Sequence, residues 1–390
     1  MRAVSRAAFA LAFLGFVSGL GAPLAYNAAR GRTPELSDAV PLKHRFVALG
    51  GAYRRLTGRR LCNNRVRLEN GSLGYARFHV LDTGDKLRRA TAFAKELDSA
   101  GIRFLHVQAP LGVDRDHALL PPGVFCDGNE AAHAFSAELS RSGIETLDLI
   151  DGFTATPELV GRYFLKTDHH WNYDAAFRAS GIIAGKLMAL FAIEPRWTKS
   201  PLDPSLWKRT ELPDWRLGSH GYRTGRYFAG LDTLEYYTPK RKWRFARANY
   251  LEDGAVRRRR GSFLEAMVSR RIIGKRCVTS RTSFLVHPCF DYPAEFRREG
   301  APVDLKVLVV GDSFARPVPA YLCTVFKSVE LVDPRHFHEC ARFARVKLVD
   351  YVKSRRPDIV IMLVNPSSLG ADIGDRGFAS GRSMFDFDLE

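Results

Sequence analysis

The sequence lacks several features that would place it in common classes of protein. It contains no Cys-x-x-Cys pair, so neither a zinc ribbon nor a thioredoxin-type redox site is supported. It shows no internal repeats. Only one apolar run, at the N-terminus, approaches the length that spans a bilayer, which excludes a polytopic membrane protein. Apolar residues are not lacking: with 46% hydrophobic and 11% aromatic residues the chain can bury a core, which excludes a mainly disordered chain, a collagen and a coiled coil.

The first thirty residues have the pattern of a targeting segment. Arg2 and Arg6 precede an apolar stretch from Ala7 to about Tyr26, as in a secretory signal. A stretch of roughly 20 apolar residues is also long enough to remain as a single membrane anchor. The sequence therefore predicts export, to the periplasm or cell envelope, and leaves cleavage and anchoring as alternatives.

The six cysteines are compatible with export. An even number of cysteines in an exported chain permits disulfides. Cys277 with Cys289, and Cys323 with Cys340, are the candidate pairs because they lie close in sequence. Buried free thiols are the alternative interpretation.

Two stretches of the chain carry the pattern of a parallel α/β sheet. Helical periodicity over Lys86–Ala100 and Glu130–Ser142 alternates with short apolar strands at Ile102–Val107 and Ile144–Leu149. The remaining predicted elements are helices at Asp174–Leu190 and Glu339–Ser354 and strands at Lys306–Val310, Val329–Val332 and Asp358–Val364. The fold class predicted from these elements is α/β.

Composition divides the 390 residues into parts. The length alone predicts two or three domains, or one core with a large insertion. The predicted parts are a signal or anchor at 1–30, a first α/β part at 31–195, a basic tryptophan-containing insertion at 196–300, a second α/β part with a serine motif at 301–371, and a tail at 372–390.

The segment at 196–276 carries most of the net charge of +17, with 20 Lys/Arg against 8 Asp/Glu, and four of the five tryptophans. Aromatic rings can stack on sugars, and Arg and Lys can hold acidic polysaccharide or anionic lipid headgroups. Arg257–Arg260 is a candidate surface loop near anionic lipid. Basic residues interleaved with aromatics also occur in nucleic-acid binders, but the export signal argues against that partner. A solvated basic face around core tryptophans is the remaining alternative.

The strongest local motif is Gly311-Asp312-Ser313, which follows directly on an apolar strand. Catalytic groups in open α/β sheets gather at the carboxyl ends of strands. A serine in such a turn can supply a nucleophile and, through its own backbone N–H, an oxyanion donor. The alternative is that Asp312 or Ser313 only caps a helix.

A serine nucleophile needs a base and an orienting carboxylate, and Asp168-His169-His170-Trp171 offers both. Positions i and i+2 of an extended segment lie on the same side, so we expect Asp168 and His170 to face one site and His169 to point elsewhere. A metal site at Asp168, His169 and His170 is an alternative, as are purely structural histidines. His336 and His338 form a second His-x-His, which we interpret as surface residues with a metal role as the alternative.

The two motifs together, in this order and after an export signal, resemble those of the SGNH-hydrolase-like O-acetyltransferases of bacterial exopolysaccharides. These are the alginate O-acetyltransferase (AlgJ/AlgX-like) family and the related DHHW proteins. The resemblance covers roughly residues 85–190 and 300–370. It implies a three-layer α/β/α parallel sheet with Ser313 as nucleophile, His170 as general base and Asp168 as its orienter. His169 stands where the alginate enzymes usually have Thr.

The resemblance also implies a reaction and its partners. The reaction is acetyl transfer through an acetyl-serine to hydroxyls of a cell-surface or secreted polysaccharide, without metal or nucleotide cofactor. A membrane-bound O-acyltransferase is the implied acetyl source. Asn365 follows the strand at Asp358–Val364 and is a candidate oxyanion donor, with a turn-forming Asn-Pro as the alternative. A carbohydrate esterase with the same triad, or a non-catalytic polysaccharide-binding or assembly protein, is the alternative function.

Overall fold

The computed structural model describes residues 43–250, 255–267, 293–336, 346–373 and 384–385. The predicted targeting segment, Cys277, Cys289, Cys340, His338 and most of the tail lie outside these residues. The helices are α1 (Lys43–Leu56), α2 (Gly84–Ser99), α3 (Gly128–Arg141), α4 (Ile150–Thr154), α5 (Pro157–Tyr163), α6 (Tyr173–Leu190), α7 (Ser219–Thr224), α8 (Arg226–Ala229), α9 (Phe263–Met267), α10 (Val318–Leu322) and α11 (Leu348–Arg355). Short 3₁₀ turns lie at Pro204–Leu206, Pro334–His336 and Pro366–Leu369.

Sixteen strands are present in the described part of the chain, and eight of them form one central sheet. The strands are β1 (Leu61–Cys62), β2 (Arg65–Arg67), β3 (Leu73–Tyr75), β4 (Arg77–Val80), β5 (Arg103–Gln108), β6 (Phe125–Cys126), β7 (Glu145–Asp148), β8 (Trp207–Arg216), β9 (Asp232–Pro239), β10 (Phe245–Tyr250), β11 (Val256–Gly261), β12 (Ala294–Arg298), β13 (Val303–Gly311), β14 (Phe326–Val332), β15 (Ile359–Val364) and β16 (Ala371–Asp372). The central sheet has the order β11-β10-β12-β14-β13-β15-β5-β7.

The predicted α/β sandwich is confirmed. β14, β13, β15, β5 and β7 are parallel, and every residue of β15 is buried. Alternate β15 side chains enter two separate apolar clusters, Ile361 on one face and Met362 on the other. One cluster includes side chains of α6 and α10, and the other includes side chains of α2, α3 and α11. Strands that are apolar on both faces require helices on both sides, which produces the three layers.

The segment interpreted as an insertion also contributes strands to this sheet. β12 pairs antiparallel with β14, β10 with β12, and β11 with β10. Side chains of β10 alternate between buried and partly buried, with Phe245, Arg247 and Asn249 on the buried side. The sequence does not reveal this alternation because Arg247 and Asn249 occupy two of the three buried positions. β11, with the sequence Val-Arg-Arg-Arg-Arg-Gly, is a strand rather than the expected surface loop.

Of the four tryptophans of this segment, Trp207 is buried, and Trp197, Trp215 and Trp243 are partly buried and pack against the same core cluster. Trp207 is buried against Phe177, Phe263 and Tyr321, and Trp243 lies beside it. The rings therefore contribute to the core, as the more conservative interpretation of the sequence predicted.

The cysteines with described surroundings are buried free thiols: Cys62, Cys126 and Cys323. The expected pairing of Cys323 with Cys340 is therefore wrong. The Cys323 Sγ lies at the end of α10 and donates to the carbonyl of Ala320 at 3.3 Å. Within the described ranges, none of the helices combines the length and apolarity needed to span a bilayer.

Candidate active site

The Gly-Asp-Ser motif forms a tight turn at the carboxyl end of β13. A Cβ on Gly311 would lie 2.3 Å from the Ala315 Cβ and 2.8 Å from the Leu363 carbonyl oxygen, so only glycine fits. Asp312 is buried, and its carboxylate accepts from the backbone N–H of Phe314 and of Asn365. These bonds hold the turn rigid and leave Ser313 half-buried at its outer side.

The Asp-His-His-Trp motif lies in a loop that brings it to the same sheet edge. An isolated antiparallel bridge between Phe164 and Trp171 closes the loop. Asn172 then caps α6 by accepting from the Ala175 N–H at 3.0 Å. The Trp171 indole donates to the Phe314 carbonyl at 3.1 Å, which ties this loop to the serine turn.

The structure brings Ser313, His170 and Asp168 into one hydrogen-bonded chain. His170 Nε2 lies 2.7 Å from Ser313 Oγ, and His170 Nδ1 lies 2.8 Å from Asp168 Oδ1. Because a carboxylate only accepts, Nδ1 carries the proton and Nε2 accepts from the serine hydroxyl. This is the arrangement in which a serine can lose its proton to an oriented imidazole.

The segment 196–300 supplies the remaining partners of Asp168. Arg216, at the end of β8, donates from Nη2 to Asp168 Oδ2 at 2.8 Å. Ser219 donates its backbone N–H to Oδ2 at 3.1 Å and its hydroxyl to Oδ1 at 3.0 Å. A Cβ on Gly218 would lie 2.5 Å from the Asp168 Cβ, so a glycine is needed for this close approach.

These contacts outweigh the cost of burying a charge. Burial alone raises the pKa of Asp168, but its interactions with His170 and His169 and the positive charge of Arg216 hold that pKa well below its usual range. Asp168 therefore stays ionised at neutral pH, as the orienting member of a triad must.

A second buried carboxylate, that of Asp232, holds the Asp-His-His-Trp loop in place. Asp232 begins β9, and its two oxygens accept from the backbone N–H groups of Lys166 and Thr167 and from the Thr167 hydroxyl. The Thr167 hydroxyl oxygen in turn accepts from the Gly218 N–H at 2.7 Å. The hairpin of β8 and β9 thus holds both sides of the Asp-His-His-Trp loop.

The sequence does not reveal the roles of Arg216, Ser219 and Asp232, because these residues lie about 50 to 65 residues from the motif they support. The only local feature of the sequence near these residues is Gly218-Ser219-His220-Gly221, whose two glycines indicate a structured loop but no chemical role.

The expectation that His169 points away from the site is wrong. Its Nδ1 lies 2.8 Å from Ser219 Oγ and 3.2 Å from Asp168 Oδ1. Residues 166–170 form successive bends rather than an extended strand, so the i, i+2 rule does not separate the two histidines. The rings of His169 and His170 lie side by side, with centroids 3.9 Å apart.

Asn365 is buried beside the serine turn. Its Nδ2 donates to Asp312 Oδ2 at 2.6 Å, and its Oδ1 accepts from the Ser367 N–H at 2.8 Å. These are the contacts of the turn-forming alternative. Its role as an oxyanion donor stays a prediction.

Asp168, His169 and His170 also meet the geometric requirement for a metal site, since one ligand atom from each lies within 4.8 Å of the others. However, the guanidinium of Arg216 contacts the same carboxylate, and its positive charge opposes a second cation there. The donor set fits the hydrogen-bonded triad better than it fits a metal ion.

Comparison with known proteins identifies a similar family. Residues 81–199 match the family model described as SGNH hydrolase-like domain, acetyltransferase AlgX. This match confirms the resemblance to SGNH-hydrolase-like acetyltransferases for that part of the chain. A search of curated proteins gives no match.

Solved structures share the fold at low sequence identity. PatB1 of Bacillus cereus is 18% identical, with a TM-score of 0.62 over 78% of this chain and 92% of its own. A second structure of PatB1, with a sulfonyl adduct, is 17% identical, with a TM-score of 0.58 over 79% of this chain and 94% of its own. A DHHW family protein from Eubacterium siraeum is 13% identical, with a TM-score of 0.55 over 83% of this chain and 97% of its own. The SGNH-like fold is thereby confirmed.

The pH dependence of turnover tests the state of His170. The pKa of His170 is lowered to about 4, mainly by burial and next by the neighbouring His169, although Asp168 acts in the opposite direction. A general base works when neutral, so activity should fall only as the pH drops through the lowered pKa. We expect kcat/KM for a small acetyl ester to be level above about pH 5 and to decline near pH 4.

Circular dichroism over the same pH range separates protonation of the base from unfolding. An acid limb near pH 6.5, the ordinary value for histidine, with the fold intact would contradict this assignment.

Proposed function

We propose that the protein is an exported O-acetyltransferase that adds acetyl groups to hydroxyls of a cell-surface or secreted polysaccharide. The observation that supports it most is the chain from Ser313 Oγ to His170 Nε2 at 2.7 Å and from His170 Nδ1 to Asp168 Oδ1 at 2.8 Å. The acetyltransferase family model over residues 81–199 supports the choice of acyl group.

The basic, apolar N-terminus supports export. Cell fractionation that finds the protein in the cytoplasm would contradict export.

The reaction has two half-steps. Ser313 Oγ attacks the carbonyl carbon of an acetyl ester while His170 Nε2 takes the hydroxyl proton. The bond to the donor's alcohol oxygen then breaks, and the imidazolium gives its proton to that oxygen. In the second half-step His170 takes the proton of an acceptor hydroxyl, whose oxygen attacks the carbonyl carbon of the acetyl-serine. The bond to Ser313 Oγ then breaks, and the imidazolium returns its proton to that oxygen. Asp168 stays ionised throughout and stabilises each imidazolium.

The negative charge on the carbonyl oxygen needs donors in both half-steps. The backbone N–H of Ser313 is the first candidate, because no acceptor is recorded for it among the described residues. The second candidate is Asn365, whose Nδ2 uses one proton on Asp312 and carries another.

A carbohydrate esterase is the second candidate function. It would use the same triad, with water in place of the sugar hydroxyl. The ratio of transferred to hydrolysed acetyl in the presence of a polyol separates the two. We also propose a membrane-bound O-acyltransferase as the acetyl source, and no metal or nucleotide cofactor.

Substitution tests the triad. We expect Ser313→Ala, His170→Ala and Asp168→Ala each to lower acetyl-ester turnover by about 10³-fold or more, and their combination to cost little extra, because the three residues act as one unit. His169→Ala should cost much less. Turnover is measured with a chromogenic acetyl ester and folding by thermal denaturation.

Covalent labelling provides the matched control. A sulfonyl fluoride should modify the wild-type protein at Ser313, as the sulfonyl adduct of PatB1 suggests. His133→Ala, at an exposed histidine that contacts Asp148, should react normally. Full activity in Ser313→Ala, or in His170→Ala with loss in His169→Ala, would contradict the proposed roles.

We propose that the basic edge of the sheet binds an acidic polysaccharide. β11 is the edge strand, and Arg258 and Arg260 face the same side as Ala248 and Ala246 of β10. In β12, Arg297 lies opposite Ala246 and Glu295 opposite Ala248, and these two side chains form an ion pair with each other. The positive charge beside the two alanines therefore comes mainly from the exposed Arg258 and Arg260. Exposed positive charge of this kind attracts polyanions and is screened by salt.

The double substitution Arg258→Gln/Arg260→Gln should weaken binding of an acidic polysaccharide and reduce its salt dependence, since two exposed charges are lost. The control is Arg88→Gln/Arg89→Gln on α2, which removes the same charge near Asp85 and should leave binding unchanged. Titration at several salt concentrations measures both. Equal effects of the two variants, or binding only to anionic vesicles, would overturn the polysaccharide assignment.

A further inference from the structure

A small cavity adjoins the triad on the side of its second histidine. Its volume is about 30 Å³ and it is partly open to solvent. The lining includes Asp168, His169 and His220 but neither Ser313 nor His170. Apolar side chains such as Tyr75 and Phe164 form most of the remaining wall. One water needs about 10–15 Å³ by this kind of measure, so the space admits a hydroxyl group together with its carbon.

His169 presents a hydrogen-bond acceptor at this cavity. The Ser219 hydroxyl has one proton and donates it to the ionised Asp168 at 3.0 Å. Ser219 Oγ must therefore accept from His169 Nδ1, 2.8 Å away. In the neutral imidazole a proton on Nδ1 leaves Nε2 as a hydrogen-bond acceptor, and Nε2 makes no hydrogen bond among the described residues. Asp168 thus orients two imidazoles, of which only His170 contacts Ser313.

His220 presents the complementary donor. The Arg65 Nε donates to His220 Nδ1 at 2.7 Å, and both side chains are buried. A guanidinium only donates, so Nδ1 is unprotonated. Burial, and then the charge of Arg65, hold the pKa of His220 well below its usual range, which keeps the ring neutral with its proton on Nε2. The two histidines that line the cavity therefore carry one acceptor and one donor, the pair that a hydroxyl can satisfy.

We propose that this cavity binds a second hydroxyl of the acceptor, next to the hydroxyl that becomes acetylated, and that the acceptor is therefore a vicinal diol or polyol. The centroids of the His169 and His170 rings lie 3.9 Å apart, with the ring planes tilted by 38°, so adjacent hydroxyls of one sugar ring can reach the two imidazoles. The reacting hydroxyl donates to His170 Nε2. Its neighbour donates to His169 Nε2 and accepts from His220. This inference rests on the proposed acetyl transfer.

Two conservative substitutions of His169 separate binding in the cavity from internal support. The amide nitrogen of Asn in His169→Asn can replace Nδ1 and donate to Ser219, but Asn is too short to reach the cavity. The longer side chain in His169→Gln reaches the position of Nε2 but not Ser219. The cavity role predicts that Asn is the damaging change, and a purely structural role predicts that Gln is.

The experiment compares a cyclic 1,2-diol with its monodeoxy analogue as acceptors for acetyl transfer by the full chain. We expect wild-type kcat/KM to favour the diol by about tenfold, the effect of one net hydrogen bond. In His169→Asn the ratio should fall to near one, and in His169→Gln it should stay within about threefold of wild type. His133→Asn is the control and should preserve the ratio.

A wild-type ratio near one, or loss of the ratio in His169→Gln with retention in His169→Asn, would overturn the inference. Binding tests it separately from turnover. In Ser313→Ala, calorimetric titration should give a lower Kd for the diol than for the deoxy analogue, and equal values would also overturn it. Absence of any acetyl turnover in the wild type, with the binding preference intact, would instead contradict the proposed function.

Discussion

The buried carboxylate of Asp168 is the constraint on which the site depends. Left without partners, a charge at this depth would be neutralised by a proton. Arg216 and Ser219 supply donors from the segment that follows the α/β part, and His170 supplies one from the motif itself. Removal of Arg216 would leave a buried charge short of its main cationic partner, so the triad geometry and local stability are coupled.

This constraint gives the segment 196–300 a role in the site. In its antiparallel pair of β8 and β9, Arg216 lies opposite Asp232. Arg216 donates to Asp168, and Asp232 accepts from the Thr167 N–H, so the two residues together hold the Asp-His-His-Trp loop. Its later strands extend the sheet and leave exposed arginines at the edge. One continuous segment therefore supports the proposed catalytic base and carries the proposed surface for an acidic acceptor.

The sequence predicted the parallel half of the sheet because apolar runs such as Ile359–Val364 admit few other structures. It also predicted Ser313, His170 and Asp168 as a triad, and the structure places these three residues in contact. It did not predict the strands β10–β12, whose apolar period is broken by polar residues, or Arg216, whose link to Asp168 is long-range. The orientation of His169 depends on backbone bends that no residue pattern specified.

The most direct test of the central claim is mass spectrometry of the protein after incubation with an acetyl ester and no acceptor. The account predicts one acetyl group on the peptide that contains Ser313, removed when a polyol acceptor is added and absent from His170→Ala. An acetyl group on another residue, or continued transfer with no acetylated peptide at any time, would contradict a serine-based double displacement.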